Sequence, residues 1–211
     1  MMKNQAIIRI ETPGDYAAVE NLTRESFWNV YRPGCTEHFV LHRYRSEPDF
    51  IPELSLVLLV DGELVGHVMY AWSSIETPAG ALRMMTFGPI SIAPDRKRRG
   101  WGKRLLDESM RRAALLGGGA LAITGNIDFY GKCGFTLASE SGIRYADAAP
   151  EDSVVPYFLI RELTPGFLRG VTGVYRDPAP YFAAERDPAG FAAYEASFPP
   201  KEKLRLPGQL L

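Results

Sequence analysis

The sequence predicts a mixed α/β fold: one mostly antiparallel sheet with a central parallel β-α-β unit and flanking helices. Three observations lead there. Short β-rich runs are interspersed with segments of helical period between Ile7 and Glu162. Two apolar runs meet at Asp61-Gly62, a tight-turn signal, so their strands should pair antiparallel. Gly88 to Thr124 reads as strand, helix and strand, a unit that closes as a right-handed parallel crossover.

The elements follow in order. Ala6 to Ile10 is Ile-rich and alternates weakly, as a strand does. Thr12-Pro13-Gly14-Asp15 then supplies an N-cap, a proline at the first helical position and an acid in the first turn. Tyr16, Val19, Leu22, Phe27 and Val30 recur at helical spacing until Arg32-Pro33-Gly34 stops the helix, and a second short helix is expected from Thr36 to Tyr44. Leu54 to Val60 and Leu64 to Trp72 are the hairpin strands, followed by a strand from Leu82 to Ile92. The period then changes. Leu105, Leu106, Ser109, Met110, Ala113 and Ala114 share one face, with charged residues opposite, and Gly117-Gly118-Gly119 ends this amphipathic helix. Ala120 to Thr124 reads as a buried strand, Ile127 to Cys133 as a short helix, Phe135 to Ala138 as a short strand and Val155 to Leu163 as a longer one. Beyond Leu163 prolines punctuate short apolar pieces, of which Leu168 to Tyr175 is a strand candidate and Pro188 to Ser197 a helix candidate.

A chain of 211 residues with 46% hydrophobic content can build one full core. Residues 1–163 are read as the main domain and 164–211 as an extension packed on it. Lys and Arg total 24 against 25 Asp and Glu, so net charge gives no reason to expect nucleic acid or a membrane surface as partner. No stretch approaches the roughly 20 apolar residues of a membrane span, and the first residues lack the apolar core and cleavage site of a signal peptide. A cytoplasmic location is expected. Cys35 and Cys133 are far apart and in no CxxC spacing, which argues against a disulfide framework or a zinc cluster, and no metal is expected. Assembly into a homodimer stays open.

The chemistry concentrates after the strand Gly88-Pro89-Ile90-Ser91-Ile92. Ala93-Pro94-Asp95 leads to Lys97-Arg98-Arg99-Gly100-Trp101-Gly102-Lys103-Arg104, which opens the amphipathic helix. A turn entering a helix N-terminus presents backbone N–H groups and the positive end of the helix dipole, a combination that suits a pyrophosphate. Gly100 and Gly102 remove side chains that would block it, while Arg98, Arg99, Lys103 and Arg104 gather positive charge in a nearly neutral chain. Neither GxxxxGK with a following Ser or Thr nor GxGxxG is present. A phosphate-bearing cofactor of another kind remains, beside the plainer alternative of a basic turn that only caps a helix.

Lys97 to Gly102 resembles the acetyl-CoA loop of the GNAT superfamily, whose pattern is Gln/Arg-x-x-Gly-x-Gly/Ala between a strand and a helix. Lys97 stands where the family usually has Gln or Arg, and Ile92-Ala93-Pro94-Asp95 is similar as well. The resemblance implies a GNAT fold with acetyl-CoA as cosubstrate. Backbone groups of Ile90 and Ile92 would face the acyl and pantetheine part where their strand splays from the next. Amides from Arg98 through Arg104 would take the pyrophosphate. The segment from Asn126 to Phe135 resembles the family's short tyrosine-bearing helix before a Gly-Phe strand start. It implies that Tyr130 lies near the cofactor sulfur as general acid for the departing thiolate, with Asn126 among the cofactor contacts. Gly34 to His38, Phe87-Gly88-Pro89 and Phe198 to Lys203 are similar to a bacterial branch of the family with such a C-terminal extension.

The activity so implied is acetyl transfer to a primary amine of a small molecule or peptide by direct attack. Attack requires a neutral amine and so a base, and Glu37, His38 and His42 on the second helix are the candidates, Glu37 first. A solvated helix face that does nothing chemical is the plain alternative. His67 on a strand reads as structural. The aromatic residues Tyr70, Trp72, Phe87 and Trp101 choose no acceptor. Two other functions remain in play: a non-catalytic acyl-CoA-binding or regulatory module, and a nucleotide-phosphate binder of a different fold.

Overall fold

The computed structural model describes residues 5–149 and 154–209. In chain order the elements are β1 (Ala6–Ile10), α1 (Tyr16–Phe27), α2 (Glu37–Tyr44), β2 (Leu56–Val60), β3 (Glu63–Thr77), β4 (Gly80–Ile92) and α3 (Trp101–Leu115). They continue with β5 (Ala120–Thr124), α4 (Ile127–Tyr130), β6 (Thr136–Leu137), β7 (Ile143–Tyr145), β8 (Phe158–Glu162), β9 (Gly173–Tyr175), α5 (Ala183–Arg186) and α6 (Pro188–Glu195). The strands form a mixed sheet flanked by helices. The chain divides into two compact units: Met1–Met69, Pro89–Leu105 and Ala179–Leu211 in one, Tyr70–Gly88 and Leu106–Pro178 in the other. Residues beyond Leu163 are therefore shared between the units.

In the first unit β1, β2 and the start of β3 pair antiparallel, from Ala6 opposite Val60 to Ile10 opposite Leu56, and from Leu56 opposite Val68 to Val60 opposite Glu63. Asp61 and Gly62 both have positive φ, 53° and 85°. That is the pattern whose twist matches a two-residue hairpin. Leu56, Val57 and Leu58 are all fully buried, which is why β2 reads as an apolar run and not as an alternation. Leu54 falls in a 3-10 turn before the strand instead of within it.

Before α1, Thr12 N–H donates to Asp15 Oδ2 at 2.8 Å, and Arg9 grips the same carboxylate with bonds of 2.7 and 2.8 Å. Helix α1 packs against α2, and between them lies a buried charge. Arg24 is 1% exposed, and its Nε donates to Glu195 Oε1 on α6 at 3.0 Å. A second nitrogen of Arg24 donates to Pro199 O at 3.1 Å. The other Glu195 oxygen lies 2.8 Å from His38 Nε2, and His38 Nδ1 lies 3.4 Å from Cys35 Sγ. Burial holds the Cys35 thiol protonated, with Arg24 O at 3.7 Å as an acceptor beside the His38 ring. Burial likewise lowers His38 to about 4, outweighing the attraction of Glu195, whose charge Arg24 already neutralises.

A second polar cluster sits at the end of β1. Arg45 donates to Glu11 Oε1 at 2.7 Å, Ser55 Oγ donates to Glu11 Oε2 at 2.7 Å, and Ser55 Oγ lies 3.1 Å from His67 Nε2. Burial alone would raise Glu11, but the neighbouring His67 and the bonds from Arg45 prevail and leave it at about 2. His67 is fully buried and built into the core.

In the second unit β4 and β5 run parallel, with Met85 opposite Leu121 and Thr86 opposite Ala122, and α3 supplies the crossover. Strand β8 pairs antiparallel with β5 and β6. β9 pairs antiparallel with the end of β3 at Ile75 and Glu76. β7 and β9 form a second parallel pair that the sequence pattern does not announce, because three-residue strands carry too few residues to show a period. Ile75, Met84, Ile143, Phe158, Leu168 and Tyr175 are central to this unit's core. On α3 Leu105, Leu106, Ser109, Met110 and Ala113 are buried as the pattern predicts, whereas Ala114 is exposed. Of the segments expected as strands, Phe135 to Ala138 shortens to β6 and Leu168 to Tyr175 to β9.

Two predictions follow from the buried charges. Glu195→Ala leaves Arg24 buried without its carboxylate and should destabilise the fold by about 3–5 kcal/mol in denaturant unfolding, with Arg24→Met in the same chain recovering part of the loss. His38 binds its proton less readily folded than unfolded, so its contribution is complete above the ordinary histidine pKa and lost as pH falls toward about 4. Unfolding midpoints measured from neutral pH down to that value should fall, and His38→Asn should flatten the slope.

Candidate functional site

The end of β4 belongs to the first unit. Its parallel register with β5 covers Met85 and Thr86, and Pro89 to Ile92 lie beyond it. Pro89 has no N–H to donate. Ile90 and Ile92 are half-buried, while Ser91 between them is fully buried, with its Oγ 3.0 Å from Thr23 Oγ1 on α1. Ile92 C=O accepts from Ser26 Oγ at 2.9 Å, and Ala93 N–H donates to Val65 O at 2.8 Å. A Cβ at Gly66 would stand 2.6 Å from Ile92 Cδ1 and 3.1 Å from Ser91 O, so the close approach of β3 here needs glycine.

The loop continues as a 3-10 turn, Pro94–Arg96, in which Arg96 pairs with Glu63 at 2.6 Å. Lys97 Nζ then donates to Ser26 O at 2.9 Å. Arg98 has φ 61°, a left-handed conformation that costs a residue with a Cβ about 1–2 kcal/mol, and Gly100 has φ 84°. Arg104 N–H makes a helical bond to Gly100 O at 3.0 Å, so the amides of Trp101, Gly102 and Lys103 stand in the opening turn of α3. Arg98, Arg99, Gly100, Lys103 and Arg104 are exposed and Gly102 is half-buried. The Arg104 guanidinium reaches Ala6 O at 3.2 Å and lies 5.8 Å from the Trp101 ring centroid. An exposed helix entrance with four basic side chains and two glycines has the charge and the backbone approach that suit an anion.

Tyr130 and Asn126 belong to the second unit. Asn126 Oδ1 accepts from Asp128 N–H at 2.7 Å and so caps α4. Tyr130 is 9% exposed, with ring centroids of Phe129, Phe135 and Phe87 at 5.0, 5.6 and 5.8 Å. A Cβ on Gly125 would stand 2.3 Å from the Tyr130 ring, so glycine there makes room for it. Phe129 is 39% exposed, because on so short a helix the neighbouring Tyr130 takes the inward direction. Trp72 is half-buried and carries the Arg83 guanidinium 3.6 Å from its ring centroid.

Of the base candidates, Glu37 opens α2, with its Oε2 accepting from Thr36 N–H at 2.9 Å. Burial pushes its carboxyl above the ordinary range, against the lowering by backbone N–H bonds from Glu37 and Thr36. His38 is committed to Glu195 and Cys35. His42 is exposed, with Nδ1 3.1 Å from Glu20 Oε1. Both imidazoles lie against Tyr194, with centroids at 5.4 and 4.5 Å. Among the described residues no group of three His, Cys, Asp or Glu side chains is placed to hold a metal ion, and no helix is long and apolar enough to cross a membrane. Sequence reasoning passed over Ser26, which contacts both the strand end and Lys97. No local signal marks it.

Comparison with known proteins gives these features a lineage. The solved structure of an Escherichia coli GNAT family N-acetyltransferase, YhbS, in complex with CoA superposes with a TM-score of 0.72 at 22% identity, over 86% of this chain and 94% of that one. A Brucella melitensis GNAT family acetyltransferase in complex with acetyl-CoA gives 0.66 at 21% identity, over 85% and 99%. An uncharacterised N-acetyltransferase of Escherichia coli strain K12, YjhQ, is 24% identical over 102 residues, 48% of this chain, and the chain spans only 56% of that relative's length. The sequence model of the acetyltransferase (GNAT) family matches residues 21–135, which take in the latter part of α1, the hairpin, the basic loop and Tyr130. With more than half of its length matched and the same fold recurring in both solved structures, the chain belongs to the acetyltransferase (GNAT) family.

Proposed function

We propose that the protein is an acetyl-CoA-dependent N-acetyltransferase that moves the acetyl group to a primary amine of a small molecule or peptide by direct attack. The observation that carries this reading is the end of β4. Ile90-Ser91-Ile92 lies beyond the register with β5 and runs into a turn with positive φ at Arg98 and Gly100 before α3. Extended backbone suits the amides of a pantetheine arm, and the amides from Arg98 to Arg104 suit a pyrophosphate. The CoA and acetyl-CoA bound to structures of the same fold support this choice of ligand.

In the reaction so assigned, Glu37 takes the proton of the acceptor ammonium and leaves a nitrogen lone pair to attack the thioester carbonyl. As the C–S bond breaks, Tyr130 gives its hydroxyl proton to the thiolate; the second proton of the attacked nitrogen then restores the Tyr130 hydroxyl through solvent, and Glu37 releases its own proton to water. A carboxyl raised by burial is a stronger base than an ordinary glutamate, which favours Glu37 over the neutral, committed His38. The acceptor is a primary amine, and nothing in the near-neutral charge selects a nucleic-acid-bound one.

The reading is tested by thiol release from acetyl-CoA across a panel of primary amines. CoA binding without release from any of them would support a non-catalytic acyl-CoA-binding module instead. Tyr130→Phe should lower kcat by about 10²-fold with the KM for acetyl-CoA little changed, since the ring packing is kept and the proton donor lost. The acid limb of kcat/KM should lie above the ordinary glutamate pKa, because Glu37 must be ionised and burial raises it. Glu37→Gln should lower the rate and abolish that limb in the pH–rate profile.

A further inference from the structure

Lys97 stands where the family usually has glutamine or arginine, and its contact shows what it does there. We propose that Lys97 is a positioning residue whose ammonium, bonded to Ser26 O at 2.9 Å, latches the cofactor loop to the last turn of α1 and thereby sets affinity for CoA. The inference rests on the CoA-binding reading above.

Ser26 is engaged twice. Its Oγ donates to Ile92 O at 2.9 Å and its carbonyl accepts from Lys97, so one residue of α1 holds the loop at both ends of the Pro94–Arg96 turn. The carbonyl is one of the last four of α1, at the negative end of the helix dipole, where an ammonium is favoured electrostatically and completes a group that the helix leaves unpaired. The Lys97 ammonium is therefore tied back to α1, although the residue itself is exposed, as Arg98 and Arg99 are.

The next residue explains why such a latch is needed. Arg98 is held at φ 61°, a conformation that a side-chain-bearing residue leaves when nothing fixes its neighbours. On one side it is fixed by Lys97 and on the other by Gly100, from which α3 starts. The left-handed turn at Arg98 sets the direction of the amides from Arg98 to Gly102. Freed from Ser26, the loop relaxes and the amides no longer converge.

Calorimetry with CoA on the full chain tests this. Lys97→Met should bind CoA about tenfold more weakly, the loss expected for one charge-assisted bond. Lys97→Arg, which keeps a cationic donor, should restore most of the affinity. Arg98→Gly added to Lys97→Met should recover part of it, because glycine adopts positive φ without a side-chain penalty. Amide hydrogen exchange should rise in Lys97→Met at residues 98–102 and nowhere else. Wild-type affinity in Lys97→Met overturns the proposal, as does a loss that Lys97→Arg shares or an exchange increase spread over the whole chain. If the wild-type protein fails to bind CoA, the functional reading beneath falls instead, and exchange at residues 98–102 still decides whether the latch exists.

Discussion

Two parallel strands cannot be joined by a tight turn, and that constraint organises the chemistry of this chain. β4 and β5 are parallel, so the polypeptide must leave the end of β4, cross as α3 and return. A crossover helix that starts close after its strand puts an N-terminus, with unpaired amides and a positive dipole end, within a few residues of the strand's last backbone groups. Between Ile92 and Trp101 there is room for little more than a 3-10 turn and two left-handed residues. A compact, basic helix entrance is the consequence of closing the crossover so tightly.

Such a loop does not hold itself. Arg98 occupies a conformation with an intrinsic cost, so its neighbours must be fixed by contacts worth more than the strain. Ser26 and Thr23 on α1 supply them through Ile92, Lys97 and Ser91. Helix α1 is held in turn by Arg24, whose charge is buried against Glu195 from the far end of the chain. Trp28 Nε1 also donates to Glu202 O at 2.9 Å, and Lys201 pairs with Glu25 at 2.7 Å. Within the first unit the residues from Pro188 onward are thus part of what fixes the first helix, and through it the loop.

The tyrosine is positioned by different physics. Helix α4 is too short to be stable by itself, and its conformation comes from the Asn126 cap, the ring packing around Tyr130 and the glycine at 125 that admits the ring. Gly134, with φ 81°, then turns the chain into β6 with the Arg161 guanidinium packed against it and donating to Cys133 O. Aromatic contacts fix the ring plane without using the hydroxyl, so a hydroxyl-deleting substitution keeps the position of the ring.

What the sequence determines by itself is local. The change of period from strand to helix, the glycines at 100 and 102, the Asp-Gly hairpin and the tyrosine segment all act over a few residues, and for that reason β2 to β5 and the basic loop are legible without coordinates. The family match over residues 21–135 spans the same stretch. Tertiary structure alone decides the rest. The partner of Arg24 lies 171 residues away and that of Lys97 lies 71 away, the pairing of β7 with β9 involves three residues each, and the inward turn of Tyr130 in place of Phe129 depends on what packs around α4. A buried charge or a strained loop residue is satisfied by whatever the fold brings within about 3 Å, and no periodicity in the chain encodes which residue that will be.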